Sequence, residues 1–238
     1  MNIYKQTRKW MAGICAVCLL SLLSSCLKDT RSNAPQPPVA YLAFIQTLPG
    51  EQPLDFYLNS NKVNTVPIMY GNSIDYIRAF TGTRIANFYL QGSTTNLIVA
   101  DTIQLKQDSA YTLFLVNTTS KPQTLFLADT LVKPADGKAS LRFVNTSPNS
   151  TAVDLAIKGG AVLVAGKSFK GHSSFVQLNG NTSYNLEVRQ AGTSTVLASL
   201  DNVNLGNGVV YTFWLQGLIG NTDGINNPTI NGMINAFY

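Results

Sequence analysis

The sequence repeats itself once, at a spacing of about 100 residues. The segment Leu42–Pro49 parallels Leu141–Pro148, which lies 99 positions later. Six residues after each proline comes an aspartate, Asp55 in the first copy and Asp154 in the second. A Tyr-Thr pair late in each copy recurs at an offset of 100, at 111–112 and 211–212. Self-similarity at one fixed offset predicts two copies of one structural unit, each long enough to be a domain.

Alternating apolar residues predict what each copy contains. Leu54, Phe56 and Leu58 would face a core, whereas Asp55 and Tyr57 would face outward. The second copy repeats this alternation over 153–157, and similar runs occur at 85–90, 111–116, 184–188 and 211–216. The chain is 45% apolar but only 12% charged, and its 18 glycines and 10 prolines punctuate these runs. Short strands joined by frequent turns predict an all-β fold of two tandem β-sandwich domains.

A short connector separates the copies. Residues 133–138 (Lys-Pro-Ala-Asp-Gly-Lys) lie between a first domain predicted at 39–132 and a second predicted at 138–238. So short a connection predicts that the two sandwiches stack end to end with limited swing.

Three tyrosines follow a leucine at the same spacing, Leu-x5-Tyr, at Tyr111, Tyr184 and Tyr211. In Greek-key sandwiches such a tyrosine can bond through its hydroxyl to nearby backbone, an arrangement called the tyrosine corner. The alternative is that they are ordinary amphipathic core residues. Both readings give them a structural role.

The first 26 residues have the parts of a lipoprotein signal. Lys5, Arg8 and Lys9 form a basic region, and the apolar run that follows, 11–23, is too short to span a bilayer comfortably. The sequence Leu-Ser-Ser-Cys at 23–26 resembles the bacterial lipobox. We therefore predict a signal peptide over 1–25, a lipidated Cys26, and a flexible proline-rich linker over 26–38. The alternative is an ordinary secretory peptide with an incidental cysteine.

Cysteine usage and charge predict the compartment and restrict the partners. Two of the three cysteines lie inside the signal, so Cys26 alone would remain, as an attachment point. Without the signal, fourteen basic residues face twelve acidic ones, and no clustered basic footprint points to nucleic acid. We expect a protein anchored to the cell envelope through its lipid, on the periplasmic or surface face of the outer membrane.

The repeated motifs resemble a known bacterial family. An alternating strand, a Thr-x-Pro turn, an x5-Asp strand and a glycine-rich turn before Tyr-Thr look like domain of unknown function 4397. The likeness covers residues 39–238 as two tandem copies and is clearer in the second, at 144–148, 153–154 and 208–212. The first copy departs at Leu48, before its proline, and has no glycine near Asp108. The resemblance implies immunoglobulin-like sandwiches on secreted or surface-anchored proteins and brings no catalytic residues.

Few residues suit catalysis. His172, in a Gly-His-Ser-Ser turn, is the only histidine, so zinc sets and a Cys-His pair are not expected, and we read it as a solvated loop residue. Paired carboxylates could serve glycoside hydrolysis; the candidates are Asp55, Asp75, Asp101, Asp154, Glu187 and Asp201. Hydrogen bonding to the fold is their more ordinary role. We therefore expect no enzyme activity, no metal and no cofactor.

Exposed aromatic residues are the best clue to binding. Trp214 and Phe114 hold matching positions in the two copies, and Tyr57 points outward in its strand. Planar side chains on an open sheet face suit stacking on sugars or anchoring a protein. The alternative is that Trp214 and Phe114 are buried, under a strand or at the junction of the copies. We predict a binding or adhesion protein for a glycan or an envelope protein; the alternative is a structural spacer without its own ligand.

Overall fold

The computed structural model describes residues 36–50, 52–222 and 224–238. The predicted signal peptide and Cys26 lie outside the described residues. All regular secondary structure in the described ranges is β. Those ranges contain no helix long and apolar enough to cross a bilayer. Residues 38–238 form one compact unit.

The described ranges contain sixteen strands, eight in each copy. The first copy has β1 Val39–Gln46, β2 Leu54–Leu58, β3 Asn61–Lys62, β4 Ser73–Phe80, β5 Gly82–Leu90, β6 Leu97–Leu105, β7 Ala110–Thr118 and β8 Lys121–Asp129. The second has β9 Lys138–Asn145, β10 Val153–Ile157, β11 Val162–Lys167, β12 Val176–Asn179, β13 Thr182–Gln190, β14 Val196–Leu205, β15 Val209–Gln216 and β16 Thr229–Phe237.

Both copies fold with the same topology. The first has an outer sheet in the order β3-β2-β5-β6 and an inner sheet in the order β4-β1-β7-β8. The second has the corresponding outer sheet β11-β10-β13-β14 and inner sheet β12-β9-β15-β16. Neighbouring strands are antiparallel, except for the parallel pairs β1–β7 and β9–β15. The prediction of an all-β chain with two tandem immunoglobulin-like sandwiches is confirmed.

Each sandwich closes over its own core. In the first, Phe44 of the inner sheet packs on Phe56 and Phe88 of the outer sheet, with ring centroids 5.2 and 4.8 Å away. In the second, Phe143 and Leu155 occupy the matching region. Burial of each such side chain stabilises the fold by about 1.5–3 kcal/mol.

The threonine of the Thr-x-Pro motif ties the end of the first strand to its parallel neighbour. The Thr47 hydroxyl donates to the carbonyl of Leu115 at 2.8 Å, and the Thr146 hydroxyl donates to that of Leu215 at 2.7 Å. Both hydroxyls are buried, so each bond satisfies a donor that water cannot reach.

The repeated aspartates also serve the fold, and their predicted outward exposure is wrong. Asp154 is buried and accepts from the backbone N–H of Gly166 at 2.7 Å and of Gly192 at 3.0 Å. Asp55 is buried too, and it accepts from Gly92 at 2.9 Å and pairs with Lys62 at 2.8 Å. Burial acts to raise the pKa of Asp55, but the hydrogen bonds from Lys62 and its neighbours outweigh it and lower that pKa overall. Both carboxylates point away from the core of their sandwich, but turns cover them there. The backbone N–H groups of those turns donate to the carboxylates.

The three tyrosines form the predicted bonds to backbone five residues upstream. Tyr111 and Tyr211 accept at their hydroxyls from the N–H of residues 106 and 206, at 3.3 and 2.9 Å. Tyr184 instead donates to the carbonyl of residue 179 at 3.2 Å. The tyrosine-corner reading is confirmed at the level of these bonds.

The two sandwiches pack face to face through their inner sheets, so the predicted end-to-end stacking is wrong. A third apolar cluster, here called the seam core, fills the space between these sheets: Ala43, Ile45, Phe114, Val116, Leu127, Val144, Trp214 and Met233. Strands β1, β7, β9 and β15 are buried over nearly every residue. A sheet that is apolar on both faces must be covered on both, and each inner sheet covers the other.

Candidate binding groove at the seam

Phe114 and Trp214 contact each other at the centre of the seam. Their rings lie 6.3 Å apart at 76°, and the side chains are 0% and 1% exposed. Trp214 Nε1 donates to Gln216 Oε1 at 2.8 Å. The expectation that these two rings stand on an open face is therefore wrong, and the alternative, burial at the junction of the copies, is what the structure has. The second sandwich covers the face that the first leaves open.

Tyr57, the third aromatic candidate, lies away from the seam on the outer sheet of the first sandwich. It is half-buried and meets Tyr89 edge to face, with ring centroids 5.4 Å apart. It therefore forms a separate two-ring surface with no described link to the seam.

A buried polar network crosses the seam beside the aromatic pair. Arg142 of the second sandwich forms an ion pair with Asp129 of the first at 2.6 Å, and their side chains are 3% and 0% exposed. The Thr112 hydroxyl donates to Asp129 at 2.6 Å, and Arg142 donates to Thr212 at 3.0 Å. The network therefore joins matching threonines of the two copies through one arginine.

Tyr76 and Asn235 complete this network. The Tyr76 hydroxyl donates to Asp129 at 2.5 Å and accepts from Asn235 Nδ2 at 2.9 Å. Burial, reinforced by the charge of Asp129, raises the pKa of Tyr76 far above its ordinary value. Tyr76 thus stays protonated and remains a donor to Asp129. Such groups are costly to bury unless each finds a partner, so the network fixes one arrangement of the two sandwiches.

A groove of about 550 Å³ opens at one edge of the seam, where the end of β8 meets β12. We call it the seam groove. Both sandwiches and the connector line it, through Ala128, Thr130, Val132, Lys133, Ser140, Arg142, His172, Ser173, Ser174, Phe175 and Gln177. Its volume lies within the range of small-ligand sites, about 300–1,000 Å³.

The floor of the seam groove is a stacked pair. The Arg142 guanidinium lies over the Phe175 ring, 5.1 Å from its centroid. Within the described residues, Arg142 Nε is buried without a hydrogen-bond partner. Asp129 and Thr212 hold the other end of the guanidinium, so the seam network positions this floor.

The walls of the seam groove are polar and basic. Lys133 and His172 are exposed, and no aspartate or glutamate is among the described lining residues. Four further side chains have hydrogen-bonding groups that no other described residue engages: Thr130, Ser140, Ser174 and Gln177. The expectation that His172 is a solvated loop residue agrees with its exposure, although its place in a groove was not foreseen.

Sequence reasoning missed Arg142, and a signal for it was present. The repeat places Ala43 at the matching position, so an arginine replaces a small apolar residue inside a buried Leu-x-Phe-Val run. Arginine is almost never fully buried unless it is paired. A charge inside such a run therefore indicates a partner across an interface.

The opposite edge of the seam holds a second groove, of about 680 Å³, between β4 and β16. Asp75, Tyr76 and Phe237 are among its lining residues, and Phe237 is 73% exposed. This edge has an acidic group and an apolar rim, whereas the seam groove is basic.

Most of the remaining carboxylates are committed to contacts within a sandwich. Glu187 pairs with Arg189 and accepts from the N–H of Gly159 at 3.0 Å; the hydrogen bond from Arg189 is the main cause of its lowered pKa. Asp101 accepts from the Thr124 hydroxyl, and Asp201 pairs with Lys158 on the surface. Among the described residues, no group of three or more His, Cys, Asp or Glu side chains is placed to hold a metal ion.

Comparisons with solved structures give distant likenesses. A Bacillus anthracis TIE protein matches at 12% identity and TM-score 0.25, over 76% of this chain and 34% of its own length. A carbohydrate-binding module of family CBM26 from Eubacterium rectale, solved with maltoheptaose, matches at 9% and 0.26, over 82% and 95%. A candidate cell-adhesion protein from Bacteroides fragilis matches at 11% and 0.18, over 80% and 86%. This chain thus spans about a third of the TIE protein. At such low similarity, the ligands of these proteins are not transferred to it.

Sequence comparison places part of the chain in a family. No curated protein matches it. The model of the Domain of unknown function (DUF4397) family matches residues 40–156, which cover the first sandwich and the first two strands of the second. The match ends at 156, whereas the resemblance was expected to reach 238. Over residues 40–156, the chain belongs to the DUF4397 family.

Proposed function

We propose that this chain is a non-catalytic, lipid-anchored protein of the cell envelope, and that it binds a glycan or a protein partner in the seam groove. One observation carries the proposal: a groove of small-ligand size in which several polar wall side chains, among them Thr130, Ser174 and Gln177, are not used by the fold. The polar groups of Thr146, Asp154 and Tyr211, by contrast, form hydrogen bonds to the backbone of their own sandwich.

The rigidity of the seam supports binding in this groove. Residues from both sandwiches and from the connector must keep their spacing for the groove to persist. The seam core and the Arg142–Asp129 pair hold that spacing before any ligand arrives. A preformed site avoids the ordering cost of assembling one on binding.

The absence of catalysis is part of the proposal. Asp55, Asp154 and Glu187 lie buried in hydrogen bonds that hold turns, and Asp101 and Asp201 contact Thr124 and Lys158. A carboxylate with such partners is poorly placed to act on a substrate.

A structural spacer without its own ligand remains the second candidate. The commitment of Phe114 and Trp214 to the seam favours it, because the best aromatic candidates then serve assembly of the chain. If the protein binds a ligand in the seam groove, filling the groove should abolish that binding. A spacer should bind no ligand, whether or not the groove is filled.

A steric test decides between them. The chain from residue 27 to 238 contains every described strand and all three cores, so it is the form to purify. We would screen it on glycan arrays and against envelope extracts, together with Ser174→Trp, which fills the seam groove. Ser183→Trp, at an exposed site on β13, is the matched control. Binding that only Ser174→Trp abolishes supports the proposal. No binding favours the spacer, and binding that both variants retain refutes the seam groove as the site.

The anchor is tested separately. The first described strand starts at Val39, directly after the predicted linker, and an extended segment of twelve residues reaches about 37 Å at 3.1 Å per residue. One acyl chain binds membranes only marginally, so stable anchoring requires more than one. Cells that express the full chain should incorporate labelled palmitate into it and lose the label in Cys26→Ala. Membrane-bound, labelled Cys26→Ala protein would refute the anchor.

A further inference from the structure

We infer that the seam groove selects an acidic saccharide, with a sugar carboxylate directed toward Lys133 and the Arg142 floor. This inference rests on the proposed function, since it assigns a ligand class to the same groove. The charge, hydrogen-bonding capacity and preorganisation of the groove support it.

Charge favours an anion. Lys133 makes no ion pair with any residue that the structure describes, and it stands at the groove with an exposed side chain. Arg142 has a counter-charge in Asp129, but that carboxylate is 0% exposed and is directed to Thr112 and Tyr76 inside the seam. A ligand in the groove therefore meets cations without a competing carboxylate on the described walls.

Hydrogen-bonding capacity favours a sugar over a simple acid. The hydroxyls of Thr130, Ser140 and Ser174 can each donate and accept, and Gln177 adds an amide with both functions. Sugar hydroxyls also donate and accept, so they can use all of these groups at once. An acidic peptide would present its charge but fewer hydroxyls, and it is the main competing ligand.

Preorganisation fixes the orientation. Arg142 is held by Asp129, Thr212 and the Phe175 ring, so its guanidinium does not have to be ordered on binding. Its Nε–H is buried and has no partner among the described residues, so it is a donor that the fold leaves unused. A fixed cation in the floor, together with hydroxyls on the walls, favours one orientation of an acidic sugar.

The experiment measures calorimetric binding to residues 27–238. The probes are trisaccharides of galacturonate, glucuronate and mannuronate, each beside its neutral counterpart, with tri-glutamate as the acidic peptide. At least one acidic trisaccharide should bind ten-fold or more tightly than its neutral counterpart and than tri-glutamate. Raising the salt concentration should weaken that binding.

Two lysine variants test the site. Lys133→Glu should weaken binding of the acidic trisaccharide at least ten-fold and leave binding of any neutral sugar nearly unchanged. Lys121→Glu makes the same charge change at the far end of β8, outside the groove, and should have little effect. Thermal unfolding of both variants checks that neither change disturbs the fold.

The outcomes separate this inference from the proposed function. Equal binding of neutral and acidic sugars, lost in Ser174→Trp, would refute the acidic ligand and keep the groove as the site. Binding of tri-glutamate as tightly as of the best sugar would refute the saccharide. If no acidic trisaccharide binds with a dissociation constant below about 1 mM, which corresponds to about 4 kcal/mol, the inference is wrong whatever the array screen finds.

Discussion

Replacing Arg142 with methionine tests whether the seam is held by a buried ion pair. The change keeps much of the side-chain volume and removes the charge. Asp129 would then remain at 0% exposure, and the Thr112 and Tyr76 hydroxyls would be its remaining donors among the described side chains. Removal of one partner of a buried pair costs about 3–5 kcal/mol. That is a large part of a typical domain stability of about 5–15 kcal/mol.

Urea unfolding of residues 27–238 measures this loss. With a slope of about 2–3 kcal/mol per molar urea, the midpoint of Arg142→Met should fall by about 1–2 M. The signal is specific, because the chain has two tryptophans and only Trp214 lies beyond residue 26. Its emission therefore reports directly on the seam. Asp129→Asn in the same chain should recover part of the loss, since the double variant buries no unpaired charge.

A surface pair serves as the matched control. Lys158 and Asp201 lie 3.2 Å apart with side chains that are 51% and 50% exposed. Lys158→Met should cost less than about 1 kcal/mol. If Arg142→Met costs no more than this control, or if the Asp129→Asn change adds its own full cost, then the buried pair does not hold the seam.

Three further predictions concern a hydrogen bond at a strand end, a crowded glycine and the loss of stability in acid. Thr146→Val should cost about 1 kcal/mol in urea unfolding, because the hydroxyl bond to β15 is lost while the backbone N–H still bonds the same carbonyl. Gly217→Ala should lower the melting temperature much more than Gly137→Ala: both have positive φ, but only at Gly217 would a Cβ lie 2.2 Å from the Asn227 oxygen. Folding lowers the pKa of Glu187, which is about 4.3 in the unfolded chain. The ionised side chain therefore stabilises the fold above about pH 4.3, and this stabilisation is lost as the pH falls through the folded pKa. Glu187→Gln should flatten the loss of stability in acid.

Each of these has a result that would contradict it. An unchanged urea midpoint in Thr146→Val would show that the hydroxyl bond of the motif threonine does not stabilise the fold. Equal melting temperatures for the two glycine variants would mean that backbone crowding at residue 217 is relieved at little cost. An acid profile that is the same with and without Glu187 would place the acid-labile groups elsewhere.

The repeat and its strands could be predicted from the sequence, because alternation and turn residues are local signals. The packing of the sandwiches could not be predicted from the connector length, which restricts reach but not direction. The prediction of alternating strands at 111–116 and 211–216 was wrong, because Leu113–Val116 and Phe213–Leu215 are apolar at consecutive positions. Consecutive apolar residues indicate a sheet buried on both faces, and this would have placed Phe114 and Trp214 inside.

The family motif and the candidate site fall on different residues. Thr146, Asp154 and Tyr211 each bond to backbone within their own sandwich. Lys133 lies outside the repeated segments, and Arg142 stands at a repeat position where the first copy has Ala43. A match to the family therefore predicts the sandwich, while the proposed ligand site depends on side chains that the motif does not specify.

The contact of Phe114 with Trp214 joins one position of the repeat to its own counterpart, as a self-complementary dimer with two-fold symmetry would. The two grooves are related in the same way, since Tyr76 and Phe175 are 99 residues apart and line opposite edges. In a homodimer of single sandwiches, a substitution at one edge would appear at both. Covalent duplication removes that constraint, so arginine can stand at position 142 while alanine stays at position 43. One chain can thus carry a basic edge and an acidic edge on a nearly symmetric frame.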